Sequence, residues 1–468
     1  MMRLLIECTY VYEHPQDNSG IQRVVRNVIN HLPGVKTDVE CIPVVMQNNK
    51  VYRINQLRPL RPSTVRTRLQ NWLSVQHDRL GRLRNRIWNY RARRERSGVF
   101  YQSPVLRAVL TGICRTLGFG ISIPQKILSF ISLRYVDKFH ITEMNCQAGD
   151  VLVLLDSSWH ADFFSVAERL KKKGVHIISV IYDLIPLTHP QFCDDGLVRV
   201  FDQWFSWISQ TANGFMAISH TIEQQVRTEV ALRLGPGPAA ARWFDYFHLG
   251  SDLDQANPDI VVRRDVRKMC KQAPVYLMVS TIEPRKNHAY LLDAFEHVWT
   301  EDSEACLCFV GKIGWKTEQL IERIRQHPQF QKKLFMFNDL NDRELEHCYT
   351  HARSLVFPSY VEGFGLPLVE AMQRGLPAMA SDIPVFREIG GDSMVYFDLE
   401  QPETLARLIR QFEESGKFPA PRSLTDWQWI NWQQASQQLI DKIQQNLTAS
   451  TTAAPALSSP WLHDECRI

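Results

Sequence analysis

The sequence predicts an α/β protein built from two doubly wound parallel-sheet domains, and three observations carry that expectation. Short apolar runs alternate with amphipathic helical stretches along most of the chain, the rhythm of parallel strands flanked by helices. The rhythm breaks in a loop-rich stretch from Leu234 to Asp259, with Gly-Pro-Gly-Pro and Asn257-Pro258, and restarts cleanly beyond it. The chain is 468 residues long, about three times the ~150-residue prior for one domain. Its 44% apolar and 22% charged residues are those of a globular protein with a large core. Wholesale disorder, a collagen-like repeat and a disulfide-stapled mini-protein are excluded on composition.

Taken in order, residues 2–6 read as a short apolar strand, with Glu7 falling where a signal peptide needs an apolar run. The expectation is a first strand of a cytosolic protein. A polar loop, Glu13-His-Pro-Gln-Asp-Asn-Ser-Gly20, leads into a helix whose apolar positions are Val24, Val25, Val28, Ile29 and Leu32, and which stops near Pro33-Gly34. Strands are expected at Asp150–Leu155 and His176–Ile181, with a basic helix ending in Lys171-Lys-Lys-Gly174 between them. The second domain is predicted to carry strands at Val275–Ser280, Cys306–Val310, Leu334–Phe337, Ser354–Pro358 and Pro377–Ala380. Helices fall at about 288–300, 317–327, 341–351 and 366–374. A last helix is expected around Trp432–Gln445, before a low-complexity tail over 448–468 predicted to be disordered. The expected units are 1–256, 257–425 and a terminal helix over 426–447.

Residues 54–140 do not fit the rhythm. Between Arg53 and Arg96 stand thirteen arginines against Asp78 and Glu95, a local balance of +11 that leaves −7 for the rest of a chain whose net charge is +4. Trp72, Trp88 and Tyr90 are interleaved with the arginines, and Arg107, Arg115, Lys126 and Arg134 interrupt the apolar half that follows. Nothing there is long and uncharged enough to span a bilayer as a helix. Three readings stay open: a helical insertion with a solvated basic face, an anionic membrane surface met by basic and aromatic side chains, or nucleic acid, for which no recognition module accompanies the charge. The ten cysteines include no CxxC pair, so a clustered zinc site is not expected and a reducing compartment is.

The window Phe357-Pro-Ser-Tyr-Val-Glu362-Gly-Phe-Gly365-Leu-Pro-Leu-Val-Glu370 carries the chemistry. A glycine-bearing loop after a strand opens a helix near Leu366, with Pro367 in its first turn, where proline is tolerated. A helix N-terminus offers unpaired N–H groups and a positive dipole end to a phosphate. Gly363 and Gly365 let the backbone approach an anion, and Glu362 and Glu370 flank the loop.

This window resembles the E-x7-E signature of retaining glycosyltransferases of family 4, which use nucleotide-diphosphate sugars on the two-domain GT-B fold, two Rossmann-like domains facing a cleft. Val279-Ser-Thr-Ile-Glu-Pro-Arg285-Lys286-Asn287 is similar to that family's first loop in the C-terminal domain, and Phe309-Val-Gly-Lys-Ile-Gly-Trp315 to the loop bordering the nucleotide. The "EPRKN" and "GK-x-GW" forms resemble bacterial enzymes of O-antigen and capsular polysaccharide assembly, many of them mannosyl- or rhamnosyltransferases. The resemblance covers 1–50 and 150–445 and leaves the insertion and the tail outside.

The resemblance implies a role for each matched residue. Glu370 would hold the donor ribose, Glu362 the donor sugar, and the amides of Phe364, Gly365 and Leu366 the diphosphate or sugar. Arg285 and Lys286 would neutralise the diphosphate as leaving charge develops. Gly20 matches the loop that closes on the diphosphate from the acceptor side, with Asn18 and Ser19 beside it and Arg23 on the following helix. The family's common form also carries Arg near Thr281, and here the arginine stands at 285. Val180-Ile-Tyr-Asp183-Leu-Ile-Pro resembles an H-D-(I/L)-x-P motif in which Tyr182 replaces His. Asp183 would either hydrogen-bond an acceptor hydroxyl or cap the next turn, and His189 and His220 read as structural. The implied reaction is retaining hexosyl transfer, mannose from GDP-mannose favoured, to a glycan or polyprenyl-diphosphate-linked glycan during surface polysaccharide assembly on the inner face of the cytoplasmic membrane. No metal is expected: Asp252-x-Asp254 sits in the interdomain stretch, away from any strand end. The alternatives are a dTDP-rhamnose or UDP-sugar donor, and a catalytically inactive sugar-nucleotide-binding scaffold.

Overall fold

A computed structural model describes residues 2–15, 17, 19–57, 112, 113, 116, 141–160, 163–251 and 261–452. Nearly all of the basic insertion, Asn18, Asp252-x-Asp254 and the chain after 452 lie outside the described residues.

The first sheet contains β1 (Arg3–Glu7), β2 (Glu40–Gln47), β3 (Lys50–Ile54), β4 (Ile141–Glu143), β5 (Val151–Leu154), β6 (His176–Ile181), β7 (Gly214–Ala217) and β8 (Trp243–Tyr246), in the order β4-β3-β2-β1-β5-β6-β7-β8. The pairing is parallel except for the antiparallel edge made by β3 and β4. Leu4 pairs with Cys41 on one side and Val151 on the other, so the strand order reverses between β1 and β5. The second sheet contains β9 (Val275–Val279), β10 (Cys306–Val310), β11 (Leu334–Phe337), β12 (Ser354–Phe357), β13 (Ala378–Ser381) and β14 (Val395–Phe397). It is parallel throughout, in the order β11-β10-β9-β12-β13-β14, and reverses between β9 and β12. In open α/β sheets a ligand site forms outside the carboxyl ends of the strands at such a reversal. Here those ends are Val279, leading to Arg285 and Lys286, and Phe357, leading to Glu362.

The inner strands are fully buried apolar runs, VLVL in β5 and CLCFV in β10, covered on both faces. One apolar cluster backs the outer face of each sheet. A third runs continuously from β1 and the helix Gly20–His31 through Phe357, Phe364 and Leu368 to the terminal helix, joining the two domains.

That terminal helix spans Trp432–Thr452, so part of the tail expected to be disordered is helical. Trp432, Ala435, Leu439, Ile443 and Leu447 are buried at helical spacing. The helix crosses back to the N-terminal domain: Gln437 exchanges hydrogen bonds with the Lys36 backbone at 2.8 Å, and Lys442 pairs with Asp245 at 2.8 Å. Trp427 and Trp429 stack at 5.6 Å before it, and Trp429 donates its indole N–H to the Leu249 carbonyl at 2.8 Å. The stretch from Leu234 read as loop is more structured than expected. It holds the short helix Pro236–Ala240 and β8, an edge strand of the first sheet.

Candidate functional site

A cleft of about 710 Å³ opens between the two domains. Two helix N-termini line it. One is that of Gly20–His31, where Gln22 Oε1 accepts from the Ser19 amide at 3.0 Å. The other is that of Leu366–Gln373, which follows Gly365 at φ +125°, a backbone conformation that glycine alone adopts without strain. Gly363 is required for a different reason. A Cβ there would lie 2.1 Å from the Tyr182 carbonyl oxygen of the opposite domain. The Gly363 carbonyl in turn accepts from the Ser219 hydroxyl at 3.0 Å. The two domains thus meet backbone to backbone at the loop that precedes the Leu366–Gln373 helix.

The structure brings Gly20, Asp183, Arg285, Lys286, Glu362, Gly363, Phe364, Gly365, Leu366 and Glu370 to line this one cleft. The Lys286 ammonium pairs with Glu362 Oε1, and Arg285 Nη1 pairs with Glu362 Oε2 at 2.8 Å. Arg285 also reaches Glu283 at 2.8 Å and donates to the Val361 carbonyl at 2.8 Å. Burial pushes the Glu362 carboxyl up, but Arg285 and Lys286 more than offset it and hold the group at about 2. Burial, then the neighbouring Arg285 charge, draws the Lys286 ammonium below its ordinary range, against the pull of Glu362. Desolvation raises the Asp183 carboxyl, with Arg285 countering. Asp183 Oδ1 accepts from the Ile185 amide at 3.0 Å, the turn-capping alternative of the two sequence readings.

The structure adds contacts to three features that the sequence reading had named without them: Arg23, the Gly-Lys-Ile-Gly-Trp loop and Tyr182. Arg23 reaches across the cleft to pair with Glu370, whose second oxygen accepts from the Tyr349 hydroxyl at 2.8 Å. Arg23 stands one turn after Gly20 on the same helix face, the signal that could have placed it in the site. Lys312 and Trp315 from the Gly-Lys-Ile-Gly-Trp loop line the cleft, as does Thr281. Tyr182 turns its hydroxyl into the core, donating to the Leu155 carbonyl at 2.7 Å. It does not stand in for the histidine of the usual motif. His220 lies at a helix start, its amide donating to Glu388 at 2.7 Å, and His189 stacks on Phe192.

Residues 263–424 match the family of glycosyl transferases group 1. The serotype-specific mannosyltransferase WbdA of Escherichia coli is 33% identical over 303 residues, covering 63% of this chain and 37% of WbdA. The chain therefore spans little more than a third of the length of that relative. The O-antigen chain mannosyltransferase B of Escherichia coli is 22% identical over 325 residues, covering 68% of this chain and 82% of that protein. Among solved structures, sucrose-phosphate synthase from Thermosynechococcus elongatus aligns over 96% of this chain and 100% of its own, with 15% identity and a TM-score of 0.54. Anabaena HepE in complex with UDP and glucose aligns over 97% and 100%, with 12% identity and a TM-score of 0.50. Likeness at that identity speaks to fold, and the fold is GT-B.

Proposed function

We infer, from a chain whose residues 263–424 form a glycosyl transferases group 1 domain on a GT-B fold, that this protein is a retaining glycosyltransferase of O-antigen assembly. It moves mannose from GDP-mannose to a growing, lipid-linked glycan. The observation that carries this reading is the cleft itself. Glu362 held by Arg285 and Lys286, and Glu370 paired with Arg23, line it together with two helix N-termini. The positive ends of both helices and the two cations suit a diphosphate, and the carboxylates suit the hydroxyls of a ribose and a hexose. Mannose is favoured because the similar proteins are named mannosyltransferases.

As the glycosidic bond to the diphosphate lengthens, charge grows on the leaving phosphate, where Arg285 and Lys286 stabilise it more than they do the ground state. Glu362, already ionised, accepts from the sugar hydroxyls. The departing phosphate oxygen takes the acceptor proton, so attack occurs on the face that the leaving group vacates and configuration is retained. Charge supplied by the protein makes the reaction independent of a divalent metal. Residues 54–140 hold the enzyme at an anionic membrane surface on the cytoplasmic side.

Calorimetry with GDP-mannose, dTDP-rhamnose, UDP-glucose and UDP-N-acetylglucosamine in EDTA tests the core of this. GDP-mannose is expected to bind in the micromolar range, with Glu370→Ala weakening it roughly tenfold, the loss of a charge-assisted pair of hydrogen bonds. Tighter binding of another donor reassigns the sugar, and a requirement for Mg²⁺ removes metal independence. The core-facing Tyr182 favours a second reading, a sugar-nucleotide-binding scaffold without turnover. Release of nucleoside diphosphate only when an acceptor glycan is added rules it out.

A further inference from the structure

A row of aromatic rings adjoins the cleft, joined to its wall at Trp315. Phe192, in the turn Pro190–Phe192 beyond β6, stacks on Tyr360 with 5.4 Å between centroids and 19° between planes. His189 lies nearly parallel to Phe192 at 6.3 Å. Trp315, from the loop after β10, donates its indole N–H to the Phe192 carbonyl at 3.3 Å. The row crosses the domain boundary, with His189 and Phe192 on one side and Trp315 and Tyr360 on the other. Its members are fixed to the site as well as to each other. The Tyr360 amide donates to the Arg285 carbonyl at 3.0 Å, two residues before Glu362, and Trp315 shares the cleft wall with Asp183, Lys312 and Glu362.

These rings are held but not covered: Trp315 is 46% exposed and Tyr360 43%. Single exposed aromatics need no explanation, but contiguous ones rimmed by polar groups mark a binding surface. Rings with few torsions, already fixed by a stack and a hydrogen bond, lose little freedom when something settles on them. The ligand chemistry follows from what surrounds them. The electron-rich face of an aromatic ring attracts weakly positive C–H groups, and a pyranose presents a face of such groups with hydroxyls around its edge. Asp183 and Lys312 stand nearby to take those hydroxyls.

We propose that Trp315, Tyr360 and Phe192 form a carbohydrate platform, a subsite that takes the pyranose rings of the acceptor glycan and leads its terminal hydroxyl to the cleft beside Asp183. The sugar class rests on the glycosyltransferase reading above; the platform rests on the rings and their exposure.

The test measures two bindings separately on the full chain. Binding of an α-linked mannotriose without donor is followed by tryptophan fluorescence and calorimetry, and binding of GDP-mannose by calorimetry alone. Trp315→Ala is expected to weaken mannotriose roughly tenfold, the worth of one aromatic contact, and Tyr360→Ala to weaken it several-fold while leaving GDP-mannose within about twofold. Trp315→Phe is expected to restore most of the loss. Tyr360→Ala gives an independent second ring, and thermal melts confirm that each variant is folded. Unchanged mannotriose binding in both alanine variants overturns the platform, as does a wild type that binds no mannotriose. Loss of GDP-mannose binding alone also overturns it, by assigning Trp315 to the nucleotide base. A wild type that binds mannotriose through Trp315 but no sugar nucleotide supports the platform and removes the transferase reading.

Discussion

Lys286 and Arg285 share one carboxylate, and that arrangement fixes what Glu362 can do. Held at about 2 against an ordinary 4.5, Glu362 stays ionised wherever the protein works. Its contribution to stability is complete above pH 4.5 and is lost as pH falls towards 2. Glu362 is therefore an acceptor of hydrogen bonds rather than a proton donor, and the acid limb of a pH–rate profile will come from another group. Lys286→Ala leaves Arg285 alone with Glu362 and, on the proposed reaction, removes one cation from the developing leaving charge. Turnover is expected to fall by about 10²–10³, the effect of deleting one oxyanion donor, while the melting temperature changes little. Turnover within threefold of wild type, measured as released nucleoside diphosphate, would take Lys286 out of the transition state. The residues of the E-x7-E window were legible because spacing and loop chemistry sit together in one stretch. The Arg23–Glu370 pair was not, because its two halves lie 347 residues apart and meet only when the domains do.

At the scale of elements, the helix His220–Leu234 shows how the domains are joined. Its own cap is Ser219, accepting from the Ile222 amide at 3.2 Å. Its first amides, of His220 and Thr221, donate at 2.7 and 2.9 Å to Glu388, on the helix Pro384–Gly390 of the other domain. His248 Nε2 completes the contact at 2.8 Å. Burial pushes the Glu388 carboxyl up, but His248, Thr221 and the His220 amide hold it at about 2. The sign follows from that depression: the joint is intact above pH 4.5 and weakens as pH falls from there towards 2. Glu388→Gln is expected to cost about 2 kcal/mol, or ~4–8 °C in melting temperature for domains of this size. It should also flatten the loss of stability below pH 4.5, and an acid melt as steep as wild type would count against the joint. Element legibility followed the continuity of apolar sequence. β6, β10 and β11 were placed correctly because they are nearly unbroken apolar runs, even though β11 is a half-buried edge strand. β2 was missed because Pro43 and polar ends interrupt it, and β8 because Asp245 interrupts its four residues, WFDY. β7 and β14 are too short to show a period.

For the whole molecule, the two-domain layout was legible from the interrupted rhythm, and the cleft only through the family resemblance, since each domain supplies only part of it. The membrane reading of the insertion belongs at this scale. The whole chain is expected to float with anionic vesicles, and a variant with residues 55–140 replaced by Asn-Gly to stay behind, with donor binding unchanged. Equal flotation of the two would end that reading. Such a cut is feasible because β3 and β4 are hydrogen-bonded neighbours, with Ile54 opposite Ile141. The segment leaves the sheet and rejoins it across a single strand spacing, which a two-residue turn can bridge. Loop length enters closure entropy only as a logarithm, ~0.6 kcal/mol per doubling, so going from a two-residue turn to the whole segment, more than five doublings, costs roughly 3 kcal/mol, and exchanging it for another of similar length costs the sheet almost nothing. Any replacement need only begin and end one strand spacing apart, which makes the insertion a cassette, open to exchange, shuffling or grafting at the β3–β4 edge.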